Sequence, residues 1–262
     1  ATLYRTGGGL IATLRNRLPA WIFLIGLLAV WEAIVRGGWV ASYLLPAPSD
    51  IYATTVELWP EIWNATQSTL SSIVWGLTGS FTVGVTLAIG FFVVPILRRA
   101  ILPFCVFFQT VPIIAIAPLL VIWFGFGETT VKASAFIVSL FPILANTLTG
   151  LEETDPLLRE MFALHRPSRW KMITKLQIPS AIPYILTGLR ISVGLATIGA
   201  IVGEFIAGGG LGSLIDSART QQRVDLVFSG VMASSVLALL LVVSIDLISG
   251  FLLRRRPYTR SA

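Results

Sequence analysis

Charged side chains are scarce in this chain. Only 12% of its 262 residues are charged, whereas 55% are hydrophobic, and an ordinary soluble domain has about 25% charged residues. A soluble fold of this length would lack the polar surface needed to cover its core, and no stretch of the chain has the composition of a separate soluble domain. The surplus apolar surface requires lipid, so we predict an integral membrane protein.

The residues of metal and thiol chemistry are almost absent. The chain has one cysteine, Cys105, and one histidine, His165, so it can form neither an intrachain disulfide nor a thiol–imidazole metal cluster. A Ser/His/Asp arrangement would have to use His165, which lies among basic residues and is better interpreted as a contact or packing residue. A phosphate-binding loop needs a Gly-Lys pair, and none occurs. The glycine-rich stretch 208–212 is therefore interpreted as a flexible turn.

Apolar runs of membrane-spanning length recur along the sequence. A span needs about 20 mostly apolar residues, and runs of this kind are bounded by charged or turn residues. We predict spans at residues 19–35, 69–94, 101–124, 130–150, 182–207 and 226–253. The N-terminal segment has the basic start of a signal peptide but no small-residue cleavage site, so the first span is predicted to be retained. The predicted fold class is all-α: one polytopic transmembrane domain, residues 1–262, with about six helical spans.

Lysine and arginine lie mainly on one side of the predicted membrane. Fourteen fall in the terminal segments and in the loops on the same side, four fall in the other loops, and Arg190 lies inside the fifth span. Cytoplasmic loops carry the excess of positive charge, which predicts that both termini are cytoplasmic. An even number of spans follows. The fourteen are Arg5, Arg15, Arg17, Arg98, Arg99, Arg159, Arg166, Arg169, Lys171, Lys175, Arg254, Arg255, Arg256 and Arg260.

Proline and small residues interrupt the regular pattern of the spans. Pro112 and Pro118 fall inside the third span, where each removes a backbone hydrogen bond and kinks or breaks a helix. Small residues recur at intervals of four in the second span, at Gly76, Ser80, Gly84 and Ala88, and in the fifth, at Gly199 and Gly203. This spacing lets helices approach closely. It indicates packing within the chain or, alternatively, a face for self-association.

The longest loop on the basic side, residues 151–181, is too polar to lie in lipid. Asp155 is placed to cap a helix with Pro156 in its first turn. Pro167 should break that helix, Ser168 should cap a second one, and Pro179 should end it. Two short helices outside the bilayer are therefore predicted. About thirty structured, basic residues exceed what a return to the membrane needs, so the loop is predicted to be a docking surface for a soluble partner.

Polar groups inside spans are candidates for the transport pathway because they are costly in lipid. Arg190 and Glu204 in the fifth span could line a pathway or form structural pairs. Gln109 and Asn146 could bind a solute or form hydrogen bonds between helices, and Pro112 would expose backbone carbonyl groups. Glu32 and Asp246 lie near span ends, where snorkelling to the membrane surface or ion pairing is the simpler interpretation.

In the basic loop, Glu160 is followed sixteen residues later by Leu176-Gln177-Ile178-Pro179, a pattern that resembles the EAA loop of ABC importer permeases. In that family the loop reads Glu-Ala-Ala, three residues, Gly, nine residues and Ile-x-Leu-Pro. Glu160 matches the glutamate, and Leu176, Ile178 and Pro179 match the end of the motif at the right spacing. Met161 and Phe162 replace the two alanines, and Arg166 replaces the glycine, whose sharp turn we expect Pro167 to supply instead.

The resemblance extends over roughly residues 20–255. Residues 112–119 and 123–128, together with 45–49, 141–147 and 203–212, are similar to permeases of nitrate, sulfonate, taurine and bicarbonate importers. Residues 161–166, 183–184 and 188–191 look closer to permeases for thiamin pyrimidine precursors or riboflavin.

The resemblance implies a type I importer permease: two permease subunits, most simply a homodimer, two cytoplasmic ATPase subunits that bind ATP and Mg²⁺, and an extracytoplasmic solute-binding protein. It implies no cofactor on this chain. The EAA loop would form the coupling helix. The implied coupling residues are Glu160, His165, Arg166, Pro167, Ser168, Arg169, Trp170 and Pro179.

Two other functions are alternatives to an importer permease. A secondary transporter driven by an ion gradient predicts inverted repeats and paired discontinuous helices, and no internal repeat is visible in the sequence. An intramembrane enzyme needs a catalytic cluster at membrane depth, and the single histidine lies outside the predicted spans. The missing repeat therefore disfavours a secondary transporter, and the position of the histidine disfavours an intramembrane enzyme.

Overall fold

The computed structural model describes residues 9–254, and the side chains of residues 18–253. Within that range the chain is almost entirely helical and contains no strand. The terminal arginines counted above, at positions 5, 15, 17, 254–256 and 260, lie outside the residues whose side chains are described. The helices are α1 (Gly9–Arg36), α2 (Pro48–Glu57), α3 (Trp59–Val93), α4 (Pro95–Thr110), α5 (Ile113–Phe124), α6 (Glu128–Glu152), α7 (Pro156–Ala163), α8 (Arg169–Met172), α9 (Ile178–Ala207), α10 (Gly210–Thr220) and α11 (Val224–Arg254).

Five helical stretches are long and apolar enough to cross a membrane. They lie in α1, α3, α6, the continuous helix Arg169–Ala207 and α11. The pair α4 and α5 passes the same test together but bends by 105° between its two helices. If that pair forms one broken span, the number is six, as the sequence predicts.

The third predicted span is two helices rather than one. The chain breaks at Val111 and Pro112, and Pro112 is in an extended conformation (φ −60°, ψ 127°) immediately before α5. Proline has no N–H to donate to the preceding turn, so the helix cannot continue through this residue. Pro118, in contrast, lies inside α5 without interrupting it.

The predicted start of the second span is ten residues too late. Helix α3 begins at Trp59 and includes Glu61, Asn64 and Gln67. These polar residues lower the hydropathy of the first turns, although they do not prevent helix formation. Hydropathy therefore marks the part of the helix suited to lipid and not its full length.

The sequence predicts that Pro179 ends the second loop helix, and this prediction is wrong. A π-helical turn, Ile173–Gln177, joins α8 to α9, and the Ile178 N–H donates to the Ile173 carbonyl five residues earlier. A proline in an ordinary α-helix clashes with the carbonyl four residues before it, here that of Lys175. The wider turn relieves this clash, so Arg169–Ala207 runs as one helix of 39 residues.

The described chain packs as two compact units. The first contains the described residues up to Trp59, together with Ala218–Ser229. In it the Arg36 guanidinium contacts Glu32 at 3.1 Å and Asp50 at 2.7 Å, and the Thr54 hydroxyl donates to the Asp225 carboxylate at 2.7 Å. Of the two simpler interpretations of Glu32, ion pairing is the one that the structure shows.

The second unit contains Pro60–Ser217 and the described residues from Gly230 onward. Its centre is α6, which packs closely against α3. A Cβ atom on Gly76 would lie 2.7 Å from the Cβ of Ala135, and the Ser139 hydroxyl donates to the Ser80 hydroxyl at 2.8 Å. Gly84 faces Ile143 in the same way. The small residues of the second span thus serve packing within the chain.

Helix α9 packs on α6 through small residues as well. A Cβ atom on Gly199 would lie 2.8 Å from the Ser134 carbonyl oxygen, and one on Gly203 would lie 3.1 Å from the Val131 Cα. The Ser192 hydroxyl donates to the Ser139 carbonyl at 2.7 Å. Packing within the chain, one of the two predicted roles of these glycines, is therefore what the structure shows.

Candidate functional site

Two groups of polar side chains in the second unit lie at the two ends of α6. We call the segment from Pro156 to Gln177 the coupling loop, and the region around Glu204 and residues 208–212 the glycine turn. Glu152, the last residue of α6, pairs with Arg98, whereas Glu128, its first residue, lies beside the glycine turn. The 25 residues of α6 separate the two regions by about 37 Å at 1.5 Å per residue.

The coupling loop begins with a capped amphipathic helix. The Asp155 carboxylate accepts a hydrogen bond from the Leu157 N–H at 2.8 Å, and Pro156 occupies the first turn of α7, as predicted. Leu158, Met161 and Leu164 are exposed, Leu164 to 83%. An exposed apolar face on a helix of eight residues is typical of an interaction surface.

The sharp turn after α7 is made by Arg166 itself. Its φ is +46°, a left-handed conformation that costs an L-residue about 1–2 kcal/mol and that glycine adopts freely. We had expected Pro167 to supply the turn. Pro167 does disfavour a right-handed conformation for the residue before it, and Ser168 then caps α8 by accepting from the Lys171 N–H at 3.4 Å.

The predicted coupling residues lie largely on one exposed, basic segment. Glu160, His165, Arg166, Ser168, Arg169 and Trp170 are exposed, and Pro167 is half-buried. The Arg169 guanidinium also donates to the Val93 carbonyl at the end of α3, at 2.8 Å, which ties the loop to a spanning helix. Pro179 is set apart, in the first turn of α9.

The five predicted pathway residues have different surroundings. Gln109, near the end of α4, and Pro112, in the break between α4 and α5, are both exposed. Asn146 is half-buried, and its amide donates to the Pro142 carbonyl of its own helix at 2.8 Å. Arg190 is exposed and pairs with Asp246 at 3.1 Å. Glu204, in contrast, is 1% exposed.

Glu204 caps a helix, a role that the sequence analysis missed. Its Oε2 atom accepts from the Gly212 N–H at 2.8 Å, while the Thr69 hydroxyl accepts from the Leu211 N–H at 2.9 Å. Both N–H groups belong to the first turn of α10, where a negative charge is favourable. Gly208, Gly209 and Gly210 all have positive φ. The predicted turn over residues 208–212 is therefore correct only for Gly208 and Gly209, because Gly210 already begins α10. The sequence did contain a sign of this cap, because Glu204 is followed closely by glycines that allow the chain to fold back over its side chain.

Comparisons with known proteins agree with this architecture. The sequence profile of the family described as "binding-protein-dependent transport system inner membrane component" matches residues 80–257. A probable ABC transporter permease protein of Haemophilus influenzae is 32% identical over 89% of this chain and 96% of its own length. The formylaminopyrimidine transport permease protein ThiX of Halalkalibacterium halodurans is 35% identical over 88% of this chain and 93% of its own length.

A further relative and one solved structure extend the comparison. The riboflavin transport system permease protein RibX of Chloroflexus aurantiacus is 31% identical over 90% of this chain and 89% of its own length. A chain in the crystal structure of a bacterial ABC transporter involved in the import of the acidic polysaccharide alginate matches with a TM-score of 0.55. The two chains are 15% identical, and the match covers 99% of that chain and 95% of this one. At this identity the comparison supports the fold alone.

Proposed function

The chain belongs to the family of binding-protein-dependent transport system inner membrane components, and from this membership we propose how its parts divide the work of import. It is a multi-pass permease subunit of an ABC importer with the type I permease fold. Partners of two kinds, an ATPase and a solute-binding protein, are general to that family. What the individual residues do in this chain is our proposal.

We propose that the coupling loop docks into a groove of a separate ATPase subunit, which binds ATP and Mg²⁺ and carries out the hydrolysis. The observation that carries this proposal is the exposed apolar and basic surface formed by α7 and the Arg166 turn, fixed to α3 through Arg169. Of the residues on this surface, methionine, tryptophan and arginine are types enriched at protein–protein interfaces.

Two copies of the permease would form one translocation pathway. In this proposal ATP binding closes two ATPase subunits, their movement draws the coupling loops together, and the permeases tilt to open outward. ATP can drive this change only because it binds one conformation better than the other. The break at Pro112 with Gln109, and the polar groups Asn146, Arg190 and Glu204, are the proposed pathway positions.

We propose that both termini face the cytoplasm of a bacterial-type plasma membrane. The charge asymmetry supports this orientation, and the coupling loop then lies on the ATPase side. The Glu204 region lies on the side from which a binding protein would deliver solute. Formylaminopyrimidines and riboflavin are the first solutes to test, because two relatives that are more than 30% identical are named for them.

Charge reversal tests the coupling proposal. Glu160→Arg and Arg166→Glu should abolish solute uptake and the permease-dependent stimulation of ATP hydrolysis, while both variants still insert into the membrane. Glu57→Arg, a reversal at an exposed residue of α2, is the matched control and should retain both activities. Normal ATPase stimulation in both loop variants would refute the proposed docking surface.

A further inference from the structure

A cavity of about 370 Å³ lies between the end of α3 and the coupling loop. Its polar lining consists of Arg159 in α7, Arg169 in α8 and Gln177 in the π-helical turn, and none of the described residues that line it is acidic. The rest of the lining is apolar and includes Phe92, the penultimate residue of α3. One water occupies about 10–15 Å³ of such space, so the cavity has room for a much larger group.

The Gln177 side chain is buried at this cavity without a hydrogen bond. The residue is 2% exposed. Its Oε1 atom is enclosed and has no partner, and its amide nitrogen likewise makes no hydrogen bond with the described residues. An unsatisfied buried amide is costly. Because the oxygen is enclosed and the nitrogen is not, the N–H groups are the donors that Gln177 can offer to a group inside the cavity.

Two guanidinium groups add positive charge to these donors. The Arg159 side chain is exposed and has no hydrogen-bond or ion-pair partner among the described residues. Arg169 donates to the Val93 carbonyl at 2.8 Å, but a guanidinium has five N–H groups, so donors remain for a ligand. Guanidinium donors in a fixed fork match the oxygens of a phosphate group. The lining therefore suits an anion with several acceptor oxygens.

The cavity lies where a spanning helix leaves the lipid. The polar residues of α3 are in its first turns, so its apolar part ends beside Phe92, at the depth of the phospholipid headgroups. The coupling loop has one acidic residue, Glu160, and five basic ones. Basic clusters and pockets next to the ends of spanning helices are where anionic headgroups bind. The basic residues are Arg159, Arg166, Arg169, Lys171 and Lys175.

We propose that Gln177, Arg159 and Arg169 form a binding site for a phosphate group. The shared chemistry is a set of negatively charged oxygens that accept hydrogen bonds from the amide and the two guanidinium groups. Its source is either the headgroup of an anionic phospholipid or free inorganic phosphate. A bound phosphate would join α7 to the helix that continues into α9. This site does not depend on docking of the ATPase subunit.

Thermal unfolding of the purified, detergent-solubilised full chain tests the site. Dioctanoylphosphatidylglycerol is compared with dioctanoylglycerol, which has the same chains and no phosphate, and sodium phosphate is compared with sodium chloride at constant ionic strength. A ligand that binds only the folded state raises the midpoint saturably, so at least one of the two phosphate compounds should raise it by a few degrees.

The pattern of responses distinguishes the sources. A rise with the phospholipid alone identifies a headgroup, whereas a rise with inorganic phosphate identifies the free anion. No rise with either compound would overturn the proposal and leave the cavity to an acidic side chain of the ATPase subunit. An equal rise with dioctanoylglycerol would also overturn it, because the phosphate would then contribute nothing.

Two substitutions that remove one positive charge establish whether the effect belongs to the cavity. Arg159→Gln should raise the half-saturating concentration about tenfold, because a hydrogen bond to a charged group is lost. Lys175→Gln changes an exposed residue of the same loop that does not line the cavity, and it should alter that concentration by less than about twofold. Equal effects would indicate general attraction to the basic loop and would overturn the proposal.

Gln177→Leu separates a ligand contact from a structural role. Leucine is close to glutamine in size and needs no hydrogen bond, so without ligand the midpoint should be unchanged or higher. The half-saturating concentration should nevertheless rise several-fold. A lower midpoint without ligand would show that the amide serves the fold, and an unchanged concentration would remove Gln177 from the site. Either result would count against the proposal.

Discussion

The coupling loop and the glycine turn use charged residues in opposite ways. In the loop, Arg166 and Trp170 are exposed, and apolar side chains lie beside them on the surface. At the glycine turn, Glu204 is buried and accepts a hydrogen bond from the backbone. The loop exposes its charged and apolar groups at the surface, whereas the glycine turn uses its carboxylate to cap a helix of the same chain. The contrast indicates that protein partners should matter most at the loop, and internal hydrogen bonds most at the turn.

The largest effect should come from breaking the helix pair that holds both regions in place. Gly199→Val would force a side chain against the Ser134 carbonyl, 2.8 Å from the added Cβ. We expect a loss of about 3 kcal/mol or more in the free energy of unfolding, and little folded protein. Gly194→Val, on the same helix where an added Cβ meets nothing within 4 Å, is the control. Similar yields of folded protein for the two variants would contradict the packing argument.

The next effect separates surface contacts from internal ones. Trp170→Ala should weaken binding of the ATPase subunit by about thirtyfold, the size of a hot-spot truncation of 2 kcal/mol, and should leave thermal stability unchanged. Trp39→Ala, at a tryptophan that is 85% exposed in the other compact unit, should not alter ATPase affinity. Affinity can be measured by titrating purified ATPase subunit onto the permease in lipid nanodiscs. Equal affinities for the two variants would remove Trp170 from the interface.

At the glycine turn, loss of one hydrogen-bond acceptor should cost stability instead of partner binding. Thr69→Val leaves the buried Leu211 N–H without its acceptor, and we expect a cost of about 1–3 kcal/mol. Thr78→Val is the control, because that hydroxyl is exposed and bonds only to Val74 of its own helix. Chemical denaturation would show whether the two variants differ, and hydrogen exchange of α10 would locate the loss. Unchanged protection of α10 would mean that the cap is dispensable.

The smallest effect distinguishes backbone shape from charge within the coupling loop. Arg166→Gly removes the cost of a left-handed arginine and should stabilise the loop by about 1 kcal/mol, with ATPase affinity within about threefold of the unmodified chain. Arg166→Ala removes the same charge but keeps the strained φ, so it should be the less stable of the two. If the glycine variant loses affinity as strongly as Arg166→Glu, the guanidinium itself makes the contact.

Local features of the chain were largely predictable from its sequence. The caps at Asp155 and Ser168 follow from a short polar side chain before a helix, and the break at Pro112 follows from a missing N–H. The ion pair of Glu32 follows from the cost of an isolated charge near a span. Each of these depends on residues that are close in sequence or on a penalty that one residue carries by itself.

Features that depend on distant neighbours were not predictable in this way. Pro179 was expected to end a helix, but its effect depends on the wider turn that precedes it. The cap formed by Glu204 requires Thr69 and Gly212, which α3 and the glycine turn bring together across more than one hundred positions. The sharp turn was expected, but it was assigned to Pro167 because arginine gives no local sign of the positive φ that Arg166 adopts.

The unbroken helix from Arg169 to Ala207 has a mechanical consequence. Its 39 residues make a rod about 58 Å long at 1.5 Å per residue, which begins within the coupling loop and has Glu204 near its other end. A rod of that length acts as a lever arm: tilting it by about 10° around one end displaces the other by about 10 Å. In the proposed import cycle, a small rotation imposed at the loop would thereby become a displacement as large as a helix diameter at the opposite end.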